Sequence, residues 1–169
     1  MPELQRVRAD HAAPILAFEL ANRDHFAASI SDRGDEFFEH FTERYEHLLA
    51  EQEAGIGAYY VLVADDGSVI GRFNLIFAED GVAELGYRLA QHAAGRGVAT
   101  ATVREVCQLA AGHGVHTIRA ATASANAASR RVLLKAGFIP VGPADPAQLG
   151  GKSGTWYQRD VAAEPTREV

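Results

Sequence analysis

The chain has 169 residues, 47% apolar and 22% charged, which predicts one globular domain with a core of its own. A single cysteine excludes a disulfide-stabilised miniprotein, and no apolar run approaches the ~20 residues of a membrane-spanning helix. The formal charge of −6 argues against direct nucleic-acid binding, because non-specific affinity for phosphate backbones needs a basic surface. The opening MPELQRVRAD lacks the apolar segment of a secretory signal, so we expect a cytoplasmic protein.

The N-terminal third predicts a short strand and two helices. The strand covers residues 4–8, and a helix follows over residues 11–21 with Asp10 as its expected N-cap. Aromatic residues and leucines recur at spacings of three and four over residues 35–53, with acids between them. This pattern predicts an amphipathic helix with an acidic outer face. That face is either simply solvated or able to attract a basic peptide or polyamine.

The middle of the chain changes to a β pattern. Residues 58–65 and 69–77 are rich in β-branched and aromatic side chains, and Asp65-Asp66-Gly67 between them is typical of a hairpin turn. A further strand over residues 82–89 follows another turn, so we expect three sequential antiparallel strands.

The last part alternates between helices and strands. We predict helices over residues 98–111 and 126–135 and strands over residues 117–122, 138–141 and 155–161. Residues 1–161 would then form one domain, and residues 162–169 a disordered tail. Cys107 falls inside a predicted helix and is expected to be a small buried hydrophobe.

A glycine-rich loop stands where a strand gives way to a helix. Free N–H groups and a positive dipole at a helix start can bind phosphate, although a plain turn explains the same glycines. The dinucleotide fingerprint fits poorly, because Thr100 stands where a third Gly or Ala is needed and no acidic residue follows about 20 residues further on. The loop residues are Gly95, Arg96, Gly97, Val98, Ala99 and Thr100.

Three sequence motifs, in a fixed order along the chain, narrow the kind of protein that this loop belongs to. ELGY at residues 84–87, GRGVAT at residues 95–100 and NAASRRVLLKAGF at residues 126–138 together resemble the GNAT N-acetyltransferase superfamily. Within it they look most like the RimJ/RimL-type branch, which acetylates ribosomal-protein N-termini. The resemblance covers roughly residues 69–141.

The resemblance implies an α/β (α+β) single domain: a GNAT-like mixed sheet with splayed central strands, flanked by helices. It also implies acetyl-CoA as co-substrate and no metal. Main-chain groups of Leu89, Ala90 and Gln91 would contact the pantetheine arm, and residues 95–100 would bind the pyrophosphate. Asn126 would bond the pantetheine, and Ser129 would lie beside the thiol end.

Two positions depart from the superfamily pattern. Ala94 replaces a frequent Gln or Arg of the phosphate loop, and Leu133 replaces the tyrosine that protonates the departing thiolate in many members. Glu84 is our candidate general base, because strand alternation would point it away from Leu85 and into the cleft. Ser129 could relay a proton to the thiolate. The alternatives are that Glu84 holds Arg88 or a turn, and that Ser129 packs or caps its helix.

The sequence thus predicts an acetyltransferase acting on a primary amine, most simply a protein or peptide N-terminus such as that of a ribosomal protein or basic peptide. The same chemistry on a polyamine, aminoglycoside or amino acid is the first alternative. A non-catalytic acyl-CoA-binding module is the second. We expect no membrane partner, and monomer and homodimer stay open.

Overall fold

The computed structural model describes residues 1–28 and 32–161, and the predicted tail at residues 162–169 lies outside them. Within these ranges the chain forms seven strands and six α-helices. The strands are β1 Glu3–Arg6, β2 Gly57–Val63, β3 Val69–Phe77, β4 Val82–Leu89, β5 Thr117–Ala123, β6 Ile139–Ala144 and β7 Gly154–Asp160. The helices are α1 Ala12–Ala21, α2 Arg23–Ala27, α3 Asp35–Glu39, α4 Phe41–Glu53, α5 Val98–Gly112 and α6 Ala127–Lys135. None of these helices has the length and apolarity needed to cross a membrane.

The strands form a sheet in the order β1-β2-β3-β4-β5-β7-β6. Strand β4 pairs with β5 in parallel, whereas β1–β2, β5–β7 and β6–β7 are antiparallel. The turn between β2 and β3 closes with a hydrogen bond from the Ala64 N–H to the Ser68 carbonyl at 2.8 Å. The mixed α/β class and the hairpin predicted from Asp65-Asp66-Gly67 are therefore confirmed.

By internal contacts the chain separates into two compact units. The N-terminal unit comprises Met1–Asn74 and Tyr87–Arg96, and the C-terminal unit comprises Leu75–Gly86 and Gly97–Val169. In the N-terminal unit, Ile15 and Phe18 of α1 and Phe41 and Tyr45 of α4 are buried with nearly all of β2. In the C-terminal unit, the buried stripe of α5 includes Val103, Val106 and Cys107, which confirms the prediction for that cysteine.

The predicted N-cap at Asp10 is wrong. Residues Ala9–His11 form a short 3₁₀ turn before α1, and the Asp10 carboxylate binds the Arg8 guanidinium at 3.1 Å instead. The His11 imidazole closes this turn, because its Nδ1 accepts from the Arg8 N–H at 3.0 Å. Burial lowers the pKa of His11, so the neutral ring that can accept this bond is favoured.

The long helix predicted over residues 35–53 is interrupted at His40, which separates α3 from α4, and α2 was not predicted. The break does not separate the aromatic face. Phe37, Phe41 and Tyr45 stay in contact across it, with ring centroids 5.9 Å apart for Phe37 and Phe41 and 5.7 Å apart for Phe41 and Tyr45.

Candidate functional site

The glycine loop has the backbone that an anion site needs. Gly95 and Gly97 have φ of 80° and 75°, and Gly97 is the N-cap of α5 with no side-chain hydrogen bond to it. The first bond of the helix runs from the Ala101 N–H to the Gly97 carbonyl at 3.1 Å. The N–H groups of Val98, Ala99 and Thr100 therefore have no acceptor within the helix. Arg96 is exposed beside them.

The end of β4 and the two residues after it, which we expect to contact the pantetheine arm, already make hydrogen bonds to other parts of the chain. The Ala90 N–H donates to the Ile70 carbonyl at 2.8 Å, and the Gln91 N–H donates to Asn22 Oδ1 at 3.1 Å. Asn22 is itself held by a bond from its Nδ2 to the Phe18 carbonyl at 2.9 Å. The carbonyl oxygens of Ala90 and Gln91 already accept from the Ala93 and Ala94 N–H groups at 3.0 and 3.2 Å, and each can accept one further bond because a carbonyl has two lone pairs.

Asn126 begins α6 as its N-cap. Its Oδ1 accepts from the Ser129 N–H at 3.2 Å, which leaves the two amide protons of Asn126 for another acceptor. Ser129 lies half-buried one turn before Leu133, and the Leu133 side chain is buried. An aliphatic side chain carries no proton for a thiolate, whereas the Ser129 hydroxyl carries an exchangeable one.

The candidate base Glu84 stands on β4 where its pairing with β5 ends. Ala83 and Leu85 are buried and Glu84 is exposed, which is the predicted alternation. The parallel ladder contains three pairs, and Glu84 lies opposite Arg119 in the last of them. The Arg119 guanidinium stacks over Trp156 at 4.5 Å, and its buried Nε has no hydrogen-bond partner in the described residues. The structure therefore places Arg119 next to the candidate base in the sheet, a neighbour that sequence reasoning missed.

A second feature that the sequence did not reveal is a charge cluster around the buried Glu19 in the N-terminal unit. Glu19, 1% exposed, accepts from Arg72 at 2.8 Å and from Arg88 at 3.1 Å, and Arg33 approaches it to 3.6 Å. The alternative role for Glu84 as the partner of Arg88 is thereby wrong. Burial, and then the Arg88 charge, lower the pKa of Arg33 to about 10. The only signal in the sequence was an acid within the apolar stretch of α1.

A cavity of about 350 Å³ opens beside this cluster in the N-terminal unit. Three guanidinium groups contribute to its wall, together with the aromatic rings of α3 and α4. The lining residues are Arg33, Phe37, Phe41, Glu43, Arg44, Tyr45, His47, Leu48, Glu51 and Arg72. Its volume lies within the ~300–1,000 Å³ typical of small-ligand sites.

Comparison with known proteins assigns the family. The family described as "Acetyltransferase (GNAT) domain" matches residues 3–139, which is most of the chain. A search of the curated proteins found no match.

Solved structures share the fold. Ribosomal-protein-S5-alanine acetyltransferase from Vibrio fischeri is 22% identical with a TM-score of 0.87, over 97% of this chain and 96% of that one. RimJ from Mycobacterium smegmatis, in complex with CoA-disulfide, is 22% identical with a TM-score of 0.82, over 96% of this chain and 83% of that one. Spermidine N-acetyltransferase from Vibrio cholerae, in complex with CoA and spermine, is 15% identical with a TM-score of 0.77, over 95% of each chain.

The family match covers all three motifs on which the resemblance rested, so that resemblance is confirmed. The chain belongs to the GNAT acetyltransferase family, as an acetyl-CoA-dependent N-acetyltransferase with a mixed sheet flanked by helices.

Proposed function

We propose that this enzyme transfers the acetyl group of acetyl-CoA to the α-amine of a peptide or protein N-terminus. The observation that carries the proposal is the left-handed glycine turn at Gly95 and Gly97 before α5, with unpaired helical N–H groups after it, in a chain of this family. The similarity to ribosomal-protein acetyltransferases over nearly the whole chain supports the acceptor class.

In this proposal the N–H groups of residues 97–100 and the Arg96 guanidinium bind the pyrophosphate, because the helix dipole favours negative charge there. Leu89 and the carbonyls of Ala90 and Gln91 contact the pantetheine amides, and the Asn126 amide group donates to the same arm. Ser129 lies beside the thiol end of CoA in this proposal.

The reaction forms one C–N bond and breaks one C–S bond. The neutral amine attacks the thioester carbonyl, and the tetrahedral intermediate expels the CoA thiolate. The amine loses a proton to Glu84, directly or through water, and Glu84 later returns that proton to solvent. The thiolate gains a proton from solvent, either directly or relayed through the Ser129 hydroxyl, which takes up a proton as it gives one. A peptide α-amine has a pKa near ~8 against ~10.4 for lysine, so an N-terminal acceptor needs less help from a base.

The direct test incubates the purified protein with acetyl-CoA and matched peptides, with CoA release followed by a thiol reagent and the acetyl group located by mass spectrometry. We expect release with a free N-terminus and none with the same peptide formylated at that amine. Acetylation confined to lysine side chains, or to spermidine alone, would refute the proposed acceptor.

The role of the loop is tested by calorimetry with acetyl-CoA. Arg96→Ala should weaken binding by about tenfold, because a charge-assisted hydrogen bond contributes about 1.5–3 kcal/mol. Arg6→Ala, on the exposed edge of β1, is the matched control and should bind as the wild type does. Glu84→Gln should bind acetyl-CoA normally and lose turnover. If the Glu84→Gln variant turns over at the wild-type rate at every pH, Glu84 is not the base.

Acetylation of a small amine is the second candidate function. The similarity to a spermidine acetyltransferase supports it. Spermidine, an aminoglycoside and free amino acids therefore belong in the same assay, and the ratio of kcat/KM values decides between the classes.

A further inference from the structure

We propose that the arginine-lined cavity of the N-terminal unit binds a carboxylate carried by the acceptor, so that the enzyme selects acidic N-termini over basic ones. This inference rests on the proposed function and specifies its substrate class.

The charges around the cavity do not balance. Glu19 is shared by Arg72, Arg88 and Arg33, so one carboxylate faces three guanidinium groups. Arg33 is the least satisfied of the three, because its 3.6 Å approach is too long for a hydrogen bond. Arg44 adds a further cation to the wall, and the contact that it makes is a distant one, 5.8 Å from the Phe37 ring centroid. The cluster therefore carries an excess of positive charge.

In the described residues, the two carboxylates of the wall, Glu43 and Glu51, bind groups other than the guanidiniums of the cluster. Glu51 accepts a hydrogen bond from the Tyr59 hydroxyl at 2.7 Å and lies 3.1 Å from the His47 ring. Glu43 is exposed and lies 3.7 Å from His40. The remaining acids of α3 and α4 are mostly on the outer face, as the sequence predicted. The outer surface of these helices is acidic while the cavity beneath is basic, which opposes entry of a polyamine or an aminoglycoside.

The cavity is connected to the strand that is proposed to hold the pantetheine arm. Arg72 lines the cavity, and the Glu19 carboxylate joins it to Arg88. Arg88 directly precedes Leu89, whose main chain is assigned to that arm. An acceptor amine presented near this strand would therefore have its neighbouring groups within the reach of the arginines. The Phe37 and Phe41 rings supply the apolar wall for the rest of the ligand.

The test uses two amidated tetrapeptides, Ser-Asp-Ala-Ala and Ser-Asn-Ala-Ala, which differ by one charge and hardly at all in shape. We expect kcat/KM to be about tenfold or more higher for the aspartyl peptide, the ratio that one charge-assisted hydrogen bond supplies. Arg33→Gln and Arg44→Gln should each bring this ratio towards one. Arg6→Gln, the control outside the cavity, should keep it.

Arg44 is exposed and does not touch Glu19, so Arg44→Gln remains informative if Arg33→Gln fails to fold. A second comparison uses serine and serinamide as acceptors, because free serine offers its own α-carboxylate to the cavity and serinamide does not. A preference for serine over both peptides supports the carboxylate site and replaces the peptide acceptor by an amino acid.

Equal rates with the two peptides, or faster turnover of a lysyl peptide, would overturn the inference and leave the proposed function intact. If no amine is acetylated, the proposed function fails, and calorimetry with the same two peptides still decides the inference. Tighter binding of the aspartyl peptide supports it, and equal or undetectable binding overturns it.

Discussion

Glu19 is the residue whose loss should weaken the fold most clearly. Its side chain is 1% exposed, and those of Arg72 and Arg88 are 9% and 16% exposed. Glu19→Gln keeps the shape and removes the charge, so the guanidinium groups stay buried without a counter-charge. Breaking a buried ion pair in this way costs about 3–5 kcal/mol. For a chain of this length each kcal/mol lowers the Tm by about 2–4 °C, so we expect a decrease of roughly 6–20 °C.

Thermal unfolding followed by circular dichroism measures this decrease, with urea unfolding as a second assay. Glu46→Gln on the exposed face of α4 is the matched control and should change the free energy of unfolding by less than about 0.5 kcal/mol. Adding Arg72→Met to Glu19→Gln should recover part of the loss, because one unpaired cation is then removed. A Glu19→Gln protein with the same Tm and the same urea midpoint as the wild type would refute the reasoning.

The remaining predictions concern two tyrosines and three glycines. Burial raises the pKa of Tyr45 and Tyr59 from 10.0 to about 12, so stability that is complete below pH 10 should be lost as the pH rises towards 12. A pH titration checks this by following tyrosinate absorbance for ionisation and circular dichroism for unfolding in the same samples. Phenols that ionise at pH 10 while the protein is still folded would contradict it. Gly97→Ala should lower the Tm through about 1 kcal/mol of strain at its φ of 75°, whereas Gly112→Ala, at the end of α5 with open space around it, should raise it; shifts of the same sign would be inconsistent with this. Gly154→Ala should prevent accumulation of soluble protein, because the added Cβ would overlap the Thr122 carbonyl oxygen.

Local patterns in the sequence were enough to place most of the secondary structure. The strands β3 and β4 begin and end where alternation and turn residues predicted, and Asn126 begins α6 as its N-cap. These features depend on residues close together in the chain, where backbone sterics and capping decide the outcome. For the same reason the glycine turn before α5 and the alternation that puts Glu84 on the opposite face from Leu85 could be predicted, and the three motifs sufficed for the family.

Only the tertiary structure decided which charges meet. Glu19, Arg33, Arg72 and Arg88 come from four separate segments, and nothing in their spacing predicts that one carboxylate serves three guanidinium groups. The occupied Gln91 N–H likewise depends on Asn22, 69 residues away. Partners so distant in sequence are selected by packing, since a buried charge or donor must be satisfied by whatever group the fold brings beside it.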